Sequence, residues 1–486
     1  MKFISTRDVK DLKLATEAIV KGLSSSGGLY VPEKFPNIKS DFDKLRGLNY
    51  QELAFEIIKL FFGDIGDENI KECIKEAYEG RFEVKVSKGF LELYHGPTSA
   101  FKDAALLFLP HIMKKSKEIL GINDKIVILT ATSGDTGKAA LEGFRDIDGI
   151  SVVVFYPENG VSRVQELQMR THDSFNSSVI AINGNFDDAQ NAVKGIFADE
   201  EFKEEMLYEK IRFSSANSIN IARLVPQIVY YFYGYFELLN QNEIANGEKI
   251  NICVPTGNFG NILAGYYAKQ MGLPIDKFIC ASNENNVLTD FINTGVYDRR
   301  RELILTESPS MDILVSSNLE RLLFELSGRD DKKINIFMDE LKTEGIYEID
   351  LEMKSNMSDF YGYFANKEEV YSDIKNLFEK EKYLMDTHTA VAYNAYNKYV
   401  KDTGDTKKVL IASTASPFKF VKSIVDALEL DSNVNDELEL LSVLSENTGY
   451  EIPKGLKDLD KKYLLHNIKC DKYDIKNVIS SLIKKV

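Results

Sequence analysis

The residues best placed to do chemistry begin at His95, in the run His95-Gly96-Pro97-Thr98-Ser99-Ala100-Phe101-Lys102-Asp103-Ala104-Ala105. Lys102 stands between a phenylalanine and an aspartate, just ahead of the apolar stretch 106–109. A lysine amine acts as a nucleophile or base only after losing its proton, and apolar surroundings favour that loss. Phe101 and the apolar helix predicted to follow supply such surroundings. The competing reading is a lysine that lies along a helix start with its head in water. Asp103 suits the first turn of the same helix as an orienting or capping group. His95 is a candidate proton carrier, although His-Gly-Pro also reads as a plain turn.

Three further stretches, each following a strand-like run, carry ligand-binding residue types. Ala131–Ala140 (ATSGDTGKAA) follows KIVILT, and its small hydroxyl residues and glycines lead into a helix. Such a turn aims backbone N–H groups at a carboxylate or phosphate. It is not a nucleotide P-loop, because Thr132 stands where that motif needs glycine and Ala139 where it needs serine or threonine. Val254–Gly265 (VPTGNFGNILAG) lets backbone approach a ligand at Gly257 and Gly260, ahead of another helix. It lacks the third glycine of a dinucleotide fingerprint. Ile411–Phe420 (IASTASPFKF) places Ser413 and Thr414 at a strand end, where a hydroxyl can meet a ring nitrogen or simply form a turn. One deprotonatable lysine, one anion loop at a helix start and one hydroxyl for a ring nitrogen together describe a pyridoxal phosphate site.

These loops need a scaffold that gathers strand ends. From about residue 90, short β-branched runs alternate with helical stretches: strands at 125–130, 151–156, 179–182, 250–255, 278–282 and 409–413, and helices at 138–144, 162–169, 187–197, 219–239, 262–271 and 389–400. The strand runs are uninterruptedly apolar, as expected for a parallel sheet buried on both faces. In such sheets ligands collect at the carboxyl ends of strands. Residues 1 to about 80 read as mostly helical around a turn-rich island at Gly22–Pro36, and 241–249 reads as a hinge.

With 486 residues the chain exceeds one ordinary core. A net charge of −15 argues against nucleic acid as a partner, since phosphate backbones need clustered cations. A small anion would need a local positive pocket. The four cysteines form no CxxC pair, which points to a reducing cytoplasm rather than a disulfide or zinc framework. The charged N-terminus reads as no signal peptide, and no apolar run reaches membrane-spanning length, so no membrane partner is expected.

HGPTSAFKDAA resembles the cofactor-lysine motif of the threonine synthases. GLYVPE at Gly28–Glu33, ATSGDTGKAA, SANSINIARLVPQIVYYF at Ser215–Phe232, PTGNFGNILAG and SPSMDI at Ser308–Ile313 resemble that family as well, in the family's order. The resemblance covers most of the chain and is weakest over the last sixty or so residues. It points to the larger, microbial-and-fungal type. It implies a tryptophan-synthase-β-like, fold type II pyridoxal enzyme of class α/β. The expected organisation is a helical segment at 1–90, a smaller lobe with the cofactor lysine at 91–240, a larger lobe with the phosphate loop at 241–309 and 386–430, a helical insertion at 310–385 and a C-terminal segment at 431–486.

The resemblance further implies conversion of O-phospho-L-homoserine and water to L-threonine and phosphate, by a monomer or weak homodimer. By the same resemblance Lys102 holds the cofactor covalently. Gly257, Asn258, Phe259, Gly260 and Asn261 cradle its phosphate, and Thr414 meets its ring nitrogen. Thr132, Ser133, Asp135 and Thr136 form the substrate-carboxylate loop. Arg163, Arg223 and Lys419 are candidate cations for the substrate phosphate, with structural roles as the competing reading. Two positions depart from the family pattern: Ser416 replaces a common histidine and Thr387 a common proline. A different pyridoxal-dependent lyase, or a silent binding protein on the same fold, are the alternatives.

Overall fold

The computed structural model describes residues 1–483 except 133, 159, 432, 433 and 435. The chain opens with a small antiparallel sheet, β1 (Lys2–Ser5), β2 (Asp8–Leu14) and β3 (Tyr30–Pro32), in the order β2-β1-β3. The expectation of a mostly helical start does not include this ladder. The segment DVKDLKL carries its charges into water while β1 is held between two partners, so a short ladder forms without a continuous apolar run. Helices Tyr50–Phe62 and Asp67–Tyr78 follow.

Two larger sheets hold the rest, apart from the strands Val296–Asp298 and Ile346–Glu348, which pair antiparallel with each other. The remaining strands are β4 (Glu83–Ser87), β5 (Phe90–His95), β6 (Lys125–Ala131), β7 (Ile150–Pro157), β8 (Ser177–Asn183), β9 (Ile211–Ser214), β10 (Ile250–Pro255), β11 (Ile275–Ser282), β12 (Val296–Asp298), β13 (Ile346–Glu348), β14 (Phe360–Phe364), β15 (Val409–Ser413) and β16 (Ile468–Asp471). A five-stranded parallel sheet runs β16-β8-β7-β6-β9. A six-stranded sheet runs β14-β11-β10-β15-β5-β4, parallel except for β4. Val127, Leu129, Val153 and Phe155 enter one core cluster of the smaller sheet, and Ile126, Ile128, Val152 and Val154 enter the other. The strict alternation shows why these strands read as continuous apolar runs: both faces are covered.

Sheet membership departs from the expected segments in three places. β5 lies inside the larger sheet beside β15, although it was expected in the smaller lobe. β14, from the expected insertion, is the outer strand of that same sheet, and β16, from the C-terminal segment, closes the smaller one. Pairing of this kind joins distant residues and leaves no local periodicity to read.

The strand order has a direct consequence for the site. β10, β15 and β5 are consecutive and parallel, so the loops after Pro255, Ser413 and His95 emerge side by side at one sheet edge. The helix Asp135–Gly143, following β6, faces them from the smaller sheet. Among the described residues no helix is long and apolar enough to cross a membrane.

Candidate active site

The lysine turn is stitched to the segment after β15. Phe101 N–H donates to Thr414 O at 2.8 Å and Ser416 N–H to Ser99 O at 3.0 Å, with a bridge between Ala100 and Ala415. Ser99 takes φ +57° to make the turn. Asp103 braces it from beneath, accepting Thr98 N–H at 2.9 Å and Thr98 Oγ1–H at 2.6 Å. A side chain at position 96 would collide with Asp103, which accounts for Gly96. His95 pairs with Glu92 at 2.7 Å, so the His-Gly-Pro run acts as a structural turn. Asp103 is wholly buried, and burial pushes its carboxyl up to about 6 against the pull of the Thr98 hydrogen bonds.

Lys102 Nζ projects into a cavity of about 590 Å³ between the two sheets. That size suits a cofactor together with a small substrate. Its side chain is only 11% exposed. Nζ lies 5.3 Å from the Phe101 ring centroid and donates to Ser310 Oγ at 3.3 Å. Burial holds its pKa below that of an ordinary lysine, Asp135 opposes this, and Lys419 and Arg223 reinforce it.

Thr256 to Asn261 line the same cavity. Phe259 has φ +62°, a left-handed backbone that turns the chain into the helix Gly260–Gln270. The first N–H groups of that helix have no intrahelical acceptor and suit an anion. The loop is pinned from behind: Gly257 O accepts from Ser316 Oγ at 2.7 Å, and Asn258 O accepts from Asn318 N at 3.1 Å and Nδ2 at 2.9 Å. Asn261 Oδ1 is held by Tyr231, while its buried Nδ2 has no partner among the described residues. Thr414 lines the cavity next to Lys102. These features fit pyridoxal phosphate: a largely buried amine, a pinned loop ending at a helix start with an orphaned amide, and a hydroxyl residue in the cavity lining.

The loop after β6 is arranged differently from the expectation. Thr132 Oγ1 is occupied within the turn, accepting N–H bonds from Gly134 and Gly137, both at 2.9 Å. Ser133 lies outside the described residues. Thr136 lines the cavity. Asp135 lines it too, but as a carboxylate bound to cations: Oδ1 to Lys419 Nζ at 2.6 Å and Oδ2 to Lys102 Nζ at 3.7 Å. Burial alone would raise its pKa, yet the two lysines bring it well below the usual carboxylate range. A fixed carboxylate repels the substrate carboxylate that the sequence reading assigned to it.

Of the cations considered for a substrate phosphate, the cavity receives one. Arg223, third residue of the helix Ile221–Asn240, is 5% exposed and lines the cavity. Its Nη1 donates to Ala216 O at 2.6 Å while its buried Nε has no partner among the described residues, and burial lowers its pKa to about 10. Arg163 instead sits 60% exposed beside Asp436 at 3.6 Å and is absent from the cavity lining among the described residues. Lys419 is buried between Asp135 and Thr98 O, the latter at 3.0 Å. Ser416 caps the short turn Pro417–Phe420, and Thr387 Oγ1 donates to Glu307 O at 2.7 Å. Both departures from the family pattern are thus absorbed structurally.

The structure adds residues that sequence reasoning left without a role. His388 lines the cavity; its Nδ1 meets Asp386 Oδ2 at 2.8 Å and its Nε2 accepts Ser310 N–H at 3.2 Å. The Asp-x-His spacing at a helix start was the available signal. Ser310 lies in the quoted SPSMDI stretch, where nothing in the residue types marks it. Lys194 and Phe197 line the cavity from the helix Phe186–Ala198.

The two-lobed α/β fold and this cavity define a pyridoxal-phosphate-dependent enzyme. Comparison with known proteins agrees: residues 91–414 match the family "Pyridoxal-phosphate dependent enzyme" and residues 2–78 match "Threonine synthase N terminus". A threonine synthase of Saccharomyces cerevisiae is 36% identical over 509 residues, covering 97% of this chain and 95% of its own length. The threonine synthase-like 1 protein of Pongo abelii is 40% identical over 473 residues, covering 90% of this chain; the chain spans 63% of that relative's length. A solved structure of pyridoxal-phosphate-bound threonine synthase from Brucella melitensis superposes with a TM-score of 0.87 at 33% identity, covering 100% of this chain and 99% of that one. The chain belongs to the threonine synthase family.

Proposed function

We propose that this chain converts O-phospho-L-homoserine and water to L-threonine and inorganic phosphate, with pyridoxal phosphate held at Lys102. The observation that carries the reading is the meeting, in one cavity, of Lys102, the loop 256–261 and Arg223, whose Nε has no partner among the described residues. When bound, the cofactor supplies an electron-withdrawing ring that makes hydrogens near the substrate amine acidic. The loop and the start of the helix Gly260–Gln270 hold the cofactor phosphate. Thr414 offers the ring nitrogen a neutral hydrogen bond, so reaction choice leans on how the protein orients the substrate.

Arg223 takes the substrate phosphate, since a buried guanidinium with an idle donor gains a charge-assisted bond there. Of the loop after β6, Thr136, which lines the cavity, receives the substrate carboxylate. Lys102 Nζ takes the proton from Cα. Loss of a β-proton and of phosphate from Cγ, a proton at Cγ, the hydroxyl of water at Cβ and return of a proton from Lys102 to Cα complete the conversion. The free thiols, three of them buried, support a reducing compartment, the cytoplasm. Family resemblance supports a monomer or weak homodimer.

The test is a product assay with the loaded protein and O-phospho-L-homoserine. Threonine appearing mole for mole with phosphate is the expected result. Phosphate with 2-oxobutyrate and no threonine assigns another lyase on the same scaffold. No turnover assigns a different substrate or a silent binding protein.

A further inference from the structure

Asp135 lines a cavity read as taking an anionic substrate, and the roles assigned above leave its carboxylate unexplained. Its two oxygens have separate partners. Oδ1 takes Lys419 Nζ at 2.6 Å and Gln165 Nε2 at 3.1 Å. Oδ2 faces Lys102 Nζ at 3.7 Å, bridged by Ser310 Oγ, which accepts from Lys102 at 3.3 Å and donates to Oδ2 at 3.4 Å. Lys419 is fixed, with its side chain fully buried and a second bond to Thr98 O at 3.0 Å. One carboxylate is therefore shared between a lysine locked in place and a lysine aimed into the cavity.

We propose that Asp135 is the counter-charge of the Lys102 nitrogen, and that Lys419 sets how much of that charge Lys102 feels. Both are positioning residues. The proposal rests on Lys102 being the cofactor lysine, and adds what governs the proton on it. The charged or titratable groups around Lys102 and Asp135 come from four elements: Asp135 after β6, Lys419 after β15, Arg223 from the helix Ile221–Asn240 and His388 from the helix Thr387–Thr403. Arg223 and Lys419 drive the proton off Lys102, and Asp135 holds it there. A base that must accept a proton and later return it works best when neither state dominates. A substrate anion on Arg223 would cancel one of the opposing cations and strengthen the hold of Lys102 on its proton.

The holoenzyme reports this directly. The lysine–cofactor linkage absorbs at longer wavelength when its nitrogen is protonated, so a pH titration of the spectrum gives a midpoint. Asp135→Asn should lower that midpoint by about 1–3 pH units, the usual effect of an opposite charge at this range. Lys419→Met, which removes the competing lysine from Asp135, should raise it. Opposite shifts are the signature of a shared counter-charge; a purely structural role moves both variants alike or neither. An unmoved midpoint in Asp135→Asn, or shifts of the same sign, overturns the proposal. If one variant does not fold, the sign of the other decides. If neither folds, Gln165→Leu, which strips a neutral donor from Oδ1, must raise the midpoint. A wild-type protein with no lysine-dependent band would instead refute the cofactor reading, so the two failures are distinct.

Discussion

Gly257 allows the phosphate loop to be tested by a single methyl group. A β-carbon at that position would lie 2.7 Å from Ser310 O, 3.4 Å from Met311 Cα and 3.6 Å from Ser310 C, all of them backbone atoms. One loop must retreat by about half an ångström to restore ordinary contact. Neither can do so freely. Gly257 O is held by Ser316 Oγ at 2.7 Å, and Ser310 N–H is held by His388 Nε2 at 3.2 Å. Overpacking against fixed neighbours costs about 1–3 kcal/mol. In the cofactor-free protein the Gly257→Ala loop can relax toward the cavity, and binding forces it back. The strain then appears as lost affinity, about 5- to 150-fold at 1.4 kcal/mol per tenfold. The assay is titration of cofactor-free protein with pyridoxal phosphate, followed by absorption, with thermal midpoints recorded alongside. An affinity within about twofold of wild type would refute the loop as phosphate cradle, whatever happens to stability.

Lys102→Ala should abolish the lysine-dependent absorption band and turnover while the protein stays folded, read by circular dichroism. Arg223→Met should retain the band but raise KM for the phosphorylated substrate by about 10- to 150-fold, the value of a charged hydrogen bond; an unchanged KM would remove Arg223 from the substrate site. Asp103, pushed up to about 6, keeps its proton in the folded protein over a range where the unfolded chain has lost it. Stability should therefore fall as pH rises from about 4 to about 6, by of order 3 kcal/mol. Asp103→Asn should lose that slope in urea unfolding measured near both ends of the range. Gly143→Ala should destabilise by about 1–3 kcal/mol, because its β-carbon would strike Leu106 O where two helices cross. Its denaturant midpoint reads the loss.

Much of the cavity lining was legible from local pattern. The lysine turn, the loop 256–261 and Thr414 each follow an apolar strand, and a sheet brings strand ends together by construction. Strands such as Ile250–Pro255 and Val409–Ser413 fall where their β-branched runs predict. The charges were harder to place. Arg163, Arg223 and Lys419 are equivalent as letters; only tertiary packing leaves one of them with an idle donor at the cavity and gives the others to Asp436 and Asp135. Asp135 shows the same limit, since its partners come from segments 33 residues before it and 284 after it. His388 and Ser310 meet through a contact of that kind. The early β-ladder was missed because its strands are short and one is charged along its length.

The order of strands also governs when the molecule can become competent. β15 pairs with β5 through Ile411 and Phe90, and β16 pairs with β8 through Ile468 and Ile180. A nascent chain leaves both sheets unfinished until most of it has been synthesised, and joining ends so far apart is slow. The turn bearing Lys102 takes its shape from hydrogen bonds to Thr414 and Ser416. Its geometry therefore arrives with the last large-sheet strand rather than with its own segment. During refolding, recovery of cofactor absorption should lag behind recovery of helix signal, and a ribosome-stalled chain ending before β15 should hold no cofactor.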